Sequence, residues 1–351
     1  MTSRISADML GPRSHASLTI AIPTFDRPHE LRRCVSLLKN QTNYNFHLLI
    51  IDNASPVAAS EALHRLLQDF PALSVRIVRN PVNIGGDANV LRCFELCETD
   101  YIWVLGDDDV PLSDAVETVL DELRAYPDAV FLNFASDMVV RTGTAIRTRR
   151  TESRDLESFV AAIDSFPNLL FASTSIFCRR ELVSYLCYGF HRTYTMAPHL
   201  ILLLQRLMTG PCECILSCSQ IVEWGAPKEG DRWSFMRQAM GIGTLLDLPF
   251  SRDTRSAIAK HLMRPRALEF ATIQLAAYRL RSGDTHGSRY LIDQVYGRLV
   301  RYAGGWDLRL RYLLCRRLLL AFPRITLAVF RTAVKVTHRG DQMLEFRDPF
   351  S

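Results

Sequence analysis

The chain contains 351 residues, of which 48% are hydrophobic and 23% are charged, and its formal net charge is +5. This length allows two or three domains, the apolar content is ample for a core, and the charged fraction is ordinary for a globular protein. No uninterrupted apolar run reaches the roughly 18 residues of a membrane span. Nine scattered cysteines and the lack of a signal-peptide pattern in residues 1–17 lead us to expect a cytoplasmic protein with reduced thiols.

Short β-rich runs alternate with amphipathic helical patterns through the first half of the chain. The predicted strands are Leu18–Ile22, Phe46–Ile51, Ser74–Arg79, Tyr101–Leu105, Val130–Ala135 and Ser173–Arg180. The predicted helices between the first four strands are Pro28–Asn40, Ala58–Asp69 and Ala88–Cys97. This alternation predicts an α/β fold with a mostly parallel sheet and helices on both faces, followed by a helical C-terminal region.

Three consecutive carboxylates, Asp107, Asp108 and Asp109, follow the predicted strand Tyr101–Leu105. Like charges at a strand end repel one another, and each resists transfer out of water. A divalent cation relieves both costs, and Mg²⁺ is commonly held by one or two carboxylates together with substrate phosphates. In an extended backbone Asp107 and Asp109 would point to the same side. The alternative interpretation is a solvated acidic turn.

Polar segments follow four of the predicted strands, where the ligands of parallel sheets bind. These segments are Pro23–Arg27, Asp52–Ser55, Asn83–Asp87 and Asp107–Asp109. Since the carboxyl ends of parallel strands meet at one edge, the four segments predict a single site.

In order and spacing, these four segments resemble the motifs of family 2 of the GT-A-type glycosyltransferases, over roughly residues 18–135. Within that family the compact loop Asn83–Asn89, together with Leu105–Asp109, is most similar to abequosyltransferase-like sugar transferases of bacterial surface-polysaccharide assembly. The resemblance implies a GT-A-like fold, a nucleoside-diphosphate sugar as donor, and a glycan or lipid-linked saccharide as acceptor. It also implies a divalent metal, Mg²⁺ or Mn²⁺.

The resemblance further assigns roles to individual residues. It implies that Thr24, Asp26 and Asp52 line the nucleoside pocket, that Asp87 lies near the sugar, and that Asp107 and Asp109 hold the metal. The full set expected to bind the nucleotide-sugar is Pro23, Thr24, Asp26, Arg27, Asp52, Asn83, Asp87, Asp107, Asp108, Lys228 and Arg232. Helix capping is the alternative role for Asp26 and Asp52. One departure is Ala88, which stands where the family commonly has an arginine.

A candidate general base is His199, at the start of the predicted helix Leu200–Met208. Family members often carry an acidic pair near this position, and Ala197–His199 stands there instead. Histidine can take a proton near neutral pH or bind a metal, although a lone histidine at a helix start is often structural. Lys228 and Arg232 lie in a Gly- and Pro-containing loop that could close over a diphosphate or form an ordinary surface loop.

The segment 308–339 combines apolar residues with arginine and lysine. It is expected either to lie on an anionic membrane surface as an amphipathic helix or to pack on the rest of the protein. The expected organisation is a flexible tail at 1–17, a nucleotide-sugar-binding domain at 18–135, an acceptor-side region at 136–235 and helices at 236–351.

These observations predict a glycosyltransferase of bacterial surface-polysaccharide synthesis, cytoplasmic or peripheral on the inner membrane face. The alternatives are a sugar-phosphate nucleotidyltransferase and a non-catalytic glycan-binding relative. The first would be expected to carry a Gly-rich, Arg-containing loop after its first strand, and Pro23–Pro28 contains no glycine. The second could lose the carboxylate cluster, which this chain keeps. Nucleic-acid binding is not expected, because the arginines stand in Leu-rich sequence without interleaved aromatic residues.

Overall fold

The computed structural model describes residues 17–72, 74–137, 145–225, 241–263 and 267–329. The chain forms two units, each assembled from several stretches of sequence. The first unit comprises Met1–Arg154, Pro167–Cys187 and Pro211–Gly225, and the second comprises Asp155–Phe166, Tyr188–Gly210 and Ala226–Ser351.

The first unit is built on an eight-stranded sheet. Its strands in chain order are β1 (Leu18–Thr24), β2 (His47–Asp52), β3 (Ser74–Arg79), β4 (Tyr101–Val104), β6 (Ala129–Ala135), β7 (Thr151–Ser153), β8 (Ser175–Cys178) and β9 (Glu213–Gln220). In space the order is β3-β2-β1-β4-β8-β6-β9-β7. Strands β1 to β4 pair in parallel, as do β6 and β9, whereas β8 and β7 pair antiparallel with their neighbours. The predicted α/β fold with a mostly parallel sheet is confirmed.

Two further short strands, β5 (Val110–Pro111) and β10 (Val222–Glu223), form a separate antiparallel pair. The Val110–Pro111 dipeptide could be expected to end all pairing, because proline has no backbone N–H to donate. The ladder forms because it needs only two residues and leaves Pro111 at a sheet edge, where proline is tolerated. Its consequence is that residues 224 and 225 are brought back to the carboxylate triplet.

The helices of the first unit cover the sheet with apolar faces. Those that precede β6 are α1 (Pro28–Lys39), α2 (Ala59–Leu63), α3 (Gly86–Leu96) and α4 (Ala115–Ala125). In α1 the buried residues recur at helical spacing: Leu31, Cys34, Val35 and Leu38. The predicted helix Ala58–Asp69 is too long, since α2 ends at Leu63 and turns follow. Leu66 and Leu67, which produced the longer pattern, still pack on the core from those turns.

The remaining helices follow β6 in the chain. They are α5 (Leu156–Ala162), α6 (Phe166–Leu170), α7 (Arg179–Leu182), α8 (Leu186–Phe190), α9 (Pro198–Thr209), α10 (Arg252–Leu262), α11 (Ala267–Ser282), α12 (Thr285–Leu291), α13 (Arg298–Ala303) and α14 (Trp306–Ala321). In the second unit, α11, α12 and α14 pack around a small core that includes Leu275, Leu291 and Leu319. Over the described part of the chain, no helix combines the length and the apolar character needed to cross a bilayer.

Candidate functional site

The carboxyl ends of β1, β2 and β4 lie side by side and bring three of the predicted polar segments together. Thr24 stands opposite Asp52 in the β1–β2 ladder, and Ala21 stands opposite Val104 in the β1–β4 ladder. The strands themselves are almost entirely buried, so their register is fixed by apolar packing on both faces. The polar residues that follow each strand therefore meet at one edge of the sheet.

Asp107 is held from the β1 side of this edge. Its carboxylate accepts a hydrogen bond from the Thr24 hydroxyl at 2.7 Å and another from the Arg27 guanidinium at 3.3 Å. Arg27 also contacts the carboxylate of Asp108 at 2.8 Å. Burial raises the pKa of Asp107 to about 6, although Thr24 and Arg27 oppose the shift. One arginine thus bridges two of the three carboxylates.

Asp109 is held from the opposite side. Its carboxylate accepts hydrogen bonds from the Ser173 hydroxyl at 2.6 Å and from the Gly225 backbone N–H at 3.0 Å. Burial, followed by the charge of Asp108, raises the pKa of Asp109 to about 7. Ionised Asp109 is therefore costly in the chain alone, and a bound cation would remove that cost.

The three carboxylates lie on a turn, so the extended backbone that would point Asp107 and Asp109 to the same side is not present. The Asp109 N–H donates to the Gly106 carbonyl at 3.3 Å, which closes a four-residue turn. This turn directs Asp107 toward Thr24 and Asp109 toward Ser173. Separate hydrogen-bond partners reduce the repulsion that three adjacent charges would feel in one row.

Ser173 and Gly225 were not among the residues expected from the sequence. Ser173 precedes β8, whose antiparallel pairing with β4 places it beside the carboxylate turn, and its hydroxyl accepts the Gly106 N–H at 2.9 Å. Gly225 follows the β10–β5 pair, and its backbone lies so close to the Asp108 carbonyl that any side chain there would overlap it. Glycine is the residue that such a close approach requires. The sequence shows a glycine next to Trp224, but it does not indicate that the preceding strand, β10, pairs with β5.

Asp52 lies at the predicted position, and its carboxylate is occupied by protein donors. It accepts the backbone N–H groups of Ser55 at 2.8 Å and Ala59 at 3.1 Å, and it pairs with Arg79 at 2.5 Å. Burial would raise the pKa of Asp52, but these hydrogen bonds outweigh it and hold the pKa below its usual range. These contacts are those of the capping alternative, and a role in binding the nucleoside stays a prediction.

A chain of asparagine amides supports the adjacent loop. Asn53 donates to Asn83 at 2.8 Å, and Asn80 donates to Asn53 at 3.0 Å and to Asn89 at 2.9 Å. Asn53, Asn80 and Asn89 are buried, so each amide needs these partners. Of this group only Asn83 was expected at the site, and its side chain serves the shape of the loop that leads into α3.

Backbone strain is concentrated at the same edge. Asp26 and Ala54, which follow β1 and β2, both have positive φ, 55° and 64°. Such conformations cost of order 1 kcal/mol or more for residues other than glycine and often mark functional sites. The Asp26 N–H donates to the Ser55 hydroxyl at 3.0 Å, which ties the two strained turns together.

The other predicted site residues are placed as follows. Pro23 stands opposite Ile51 within β1, and Asp87 lies half-buried in the first turn of α3. His199 is buried in the first turn of α9, in the second unit. Lys228 and Arg232 lie outside the described residues.

The donor set at Asp107 and Asp109 fits a divalent cation. Both carboxylates are more than nine-tenths buried, and the cost of ionising them in a dry setting is what a cation offsets. Within the described ranges, no group of three or more His, Cys, Asp or Glu side chains is arranged to hold a metal without other ligands. Two carboxylates completed by substrate phosphates match the usual coordination of Mg²⁺.

Comparison with known sequences is consistent with this geometry. The family model described as Glycosyl transferase family 2 matches residues 19–186. Abequosyltransferase RfbV of Salmonella typhimurium is 30% identical over 115 residues, which cover 32% of this chain and 34% of that protein. An uncharacterized glycosyltransferase of Haemophilus influenzae is 23% identical over 142 residues, which cover 40% of this chain and 46% of that protein. The chain thus spans less than half of the length of either relative.

Solved structures extend the likeness in fold to most of the chain. The structure of S. aureus TarS 1–349 in complex with UDP-GlcNAc has a TM-score of 0.60 and 10% identity, covering 90% of this chain and 92% of that one. The structure of TarS 1–349 alone gives a TM-score of 0.58 at 11% identity, with the same coverage. At such identities the comparison speaks for the fold alone.

Proposed function

We propose that this chain, whose residues 19–186 match the model of glycosyltransferase family 2, is a member of that family and transfers a sugar from a nucleoside-diphosphate sugar to a hydroxyl group of a glycan acceptor. The proposal places it in the synthesis of bacterial surface polysaccharide, as its motifs' resemblance to abequosyltransferase-like transferases implies, and its Salmonella relative is named an abequosyltransferase. The observation that carries it is the turn Gly106–Asp109 at the joined ends of β1 and β4, which holds the buried carboxylates of Asp107 and Asp109 and is contacted by Arg27 through Asp107 and Asp108.

The residues of this turn would act on the diphosphate of the donor. A divalent metal, Mg²⁺ or Mn²⁺, would be held by Asp107 and Asp109 and would neutralise charge on the departing diphosphate. Arg27, about one-third exposed beside Asp108, would place its positive charge near a phosphate oxygen of the donor. Ser173 and the Gly225 N–H fix Asp109 in one orientation, so that no reorganisation is needed when the donor binds.

Positions around the turn would hold the rest of the donor. The exposed loop Asn83–Gly86 and the half-buried Asp87 follow β3 on the same edge, next to the strained turns of Asp26 and Ala54. This combination supports binding of the nucleoside and sugar at the ends of β1 to β3. TarS 1–349 has been solved in complex with UDP-GlcNAc and with UDP, and a nucleoside-diphosphate sugar is the donor class proposed for this chain.

His199 is the proposed general base that takes the proton of the acceptor hydroxyl. Histidine is a side chain that can accept a proton near neutral pH. We propose a lipid-linked saccharide as acceptor and a position at the cytoplasmic face of the membrane, because such acceptors are presented there.

The test is a screen of nucleoside-diphosphate sugars for release of nucleoside diphosphate, with and without a saccharide acceptor. Full-length protein is assayed after chelator treatment and again after addition of Mg²⁺ or Mn²⁺. Acceptor-dependent release that is lost with chelator and restored by metal is the expected result. Formation of a nucleotide-sugar from a sugar phosphate and a nucleoside triphosphate would instead identify a nucleotidyltransferase. Binding of glycan without turnover of any donor would identify a non-catalytic relative.

A further inference from the structure

Helix α14 carries two opposed apolar faces. Leu308, Tyr312, Cys315 and Leu319 recur at intervals of three or four residues and pack in the core of the second unit. The second apolar face, called the outer face here, consists of Trp306, Leu310, Leu313 and Leu314. At about 100° per residue it lies roughly 180° away from the first. Packing within the unit therefore uses one face of the helix and leaves the other in contact with water.

The outer face is unusually exposed for residues of this type. Trp306 is 77% exposed, and Leu310, Leu313 and Leu314 are 52%, 57% and 57% exposed. After the helix, Phe322, Ile325 and Val329 are also more than half exposed. Single exposed leucines are common, but an adjoining row of large apolar side chains marks an interaction surface.

Positive charge accompanies this row. Arg309, Arg317 and Arg324 are exposed and have no acidic partner in the part of the chain that the structure describes. By contrast, Arg311 and Arg316, beside the packed face, pair with Glu269 and Asp293. The sole acid between residues 306 and 329 is Asp307. The arginines without an acidic partner are therefore the ones that lie beside the exposed apolar residues.

We propose that the outer face of α14 docks on an anionic lipid surface. Apolar side chains at the headgroup level, with Trp among them and arginines beside them, are the pattern of helices that lie in the membrane plane. A second copy of the chain fits less well, because Arg309, Arg317 and Arg324 outnumber the sole acid, Asp307, so two copies of the face would bring net positive charge against net positive charge. The inference rests on the proposed function in one respect only: a lipid-linked acceptor would give the chain a reason to contact a membrane.

The test is co-sedimentation of the full chain with vesicles of phosphatidylglycerol and phosphatidylcholine, compared with phosphatidylcholine alone. Binding to the anionic vesicles is the expected result. Arg309→Gln combined with Arg317→Gln should weaken it roughly 25-fold at low salt, since each cation contributes about fivefold near an anionic surface. That difference should shrink at high salt. Leu313→Gln combined with Leu314→Gln should weaken binding about tenfold or more at either salt concentration.

A matched control distinguishes an effect of the outer face on vesicle binding from an effect of net charge. Arg65→Gln combined with Arg252→Gln removes the same charge from exposed positions outside α14 and should change binding less than threefold. Equal losses in the two arginine pairs would overturn the proposal. Thermal melting of each variant should match the parent, because the substituted side chains are exposed.

Two other occupants of the face give different results. If the face joins two copies, sedimentation velocity without lipid will show a dimer that Leu313→Gln with Leu314→Gln converts to monomer, which would overturn the proposal. If residues 330–351 cover the face, the parent chain will not bind anionic vesicles, and the proposal fails in that case too. Vesicle binding requires no turnover, so its failure is distinguishable from failure of sugar transfer, which is measured on a water-soluble acceptor.

Discussion

Asp109→Asn should stabilise the metal-free protein while abolishing sugar transfer. The carboxylate is buried and accepts hydrogen bonds from Ser173 and Gly225. Asparagine has the same shape, and its carbonyl can keep the Gly225 N–H while its amide donates to the Ser173 oxygen. The variant loses the charge and keeps the packing. Because the metal and the diphosphate need the charge, transfer should fall by a factor of about 10³ or more.

The size of the stability effect follows from the pKa of Asp109, which burial raises from 3.8 to about 7. A group whose folded pKa is raised costs stability as pH rises from its unfolded pKa to its folded pKa, and the full cost is present above the folded value. At about 1.4 kcal/mol per tenfold change in proton affinity, ionised Asp109 costs on the order of 4 kcal/mol at pH 8. At pH 5 the cost is about 1.7 kcal/mol by the same relation. The advantage of Asp109→Asn should therefore grow by about 2–3 kcal/mol between these pH values.

The assay is thermal unfolding of the parent chain and Asp109→Asn in chelator at pH 5, 6, 7 and 8. For a chain of this size the gap in Tm should widen by roughly 3–4 °C across the series. Asp69→Asn, at an exposed position of the first unit, is the matched control and should not reproduce the trend. A gap that stays constant with pH would refute the reasoning, since it would mean that Asp109 ionises without penalty. Addition of Mg²⁺ should stabilise the parent chain and leave the variant unchanged.

Three other substitutions test separate parts of the site. Asp52→Ala should lower the free energy of unfolding by about 3 kcal/mol, because it strands two buried N–H groups and an ion-paired arginine. Denaturant titration measures this loss, and an unchanged stability with weaker nucleotide binding would instead favour the ligand role. Gly225→Ala should reduce transfer at least tenfold because its methyl group overlaps the Asp108 carbonyl, whereas Gly243→Ala, which meets open space, should not. His199→Ala should lower kcat and leave the calorimetric affinity for nucleoside diphosphate unchanged; equal kcat in the two proteins would exclude it as the base.

The sheet edge was predictable because its determinants are local. Strand β3 begins and ends at the predicted residues, and β1, β2 and β4 differ by one or two, since each is a short buried run followed by a polar segment. Because each polar segment follows a parallel strand, all of them are expected at the same edge of the sheet. Helix α2 was overextended because periodicity alone cannot distinguish a helix from turns that bury the same leucines.

The partners of Asp109 were not predictable, because they depend on pairing between distant segments. Ser173 reaches the turn through antiparallel β8, 64 residues later in the chain, and Gly225 reaches it 116 residues later through a two-residue strand. The sequence of β8 or of β10 does not indicate which strand it pairs with. A Ser and a Gly are also among the least distinctive residues in a sequence, so only the assembled sheet identifies them.

Asp52 and Asp109 have similar positions, but ionisation of Asp52 stabilises the fold whereas ionisation of Asp109 destabilises it. This contrast distinguishes a structural carboxylate from one that binds a ligand. Each is a buried carboxylate at the end of a parallel strand. Around Asp52 the backbone and Arg79 supply enough donors to lower its pKa, so the ionised group stabilises the fold at neutral pH. Around Asp109 the two donors are too few to offset burial and the neighbouring carboxylate, and its pKa rises. A carboxylate that stabilises its own loop needs no ligand to explain it. One that costs the chain free energy is explained by a ligand that offsets the cost on binding, which is why Asp109, rather than Asp52, is the residue on which the proposed chemistry depends.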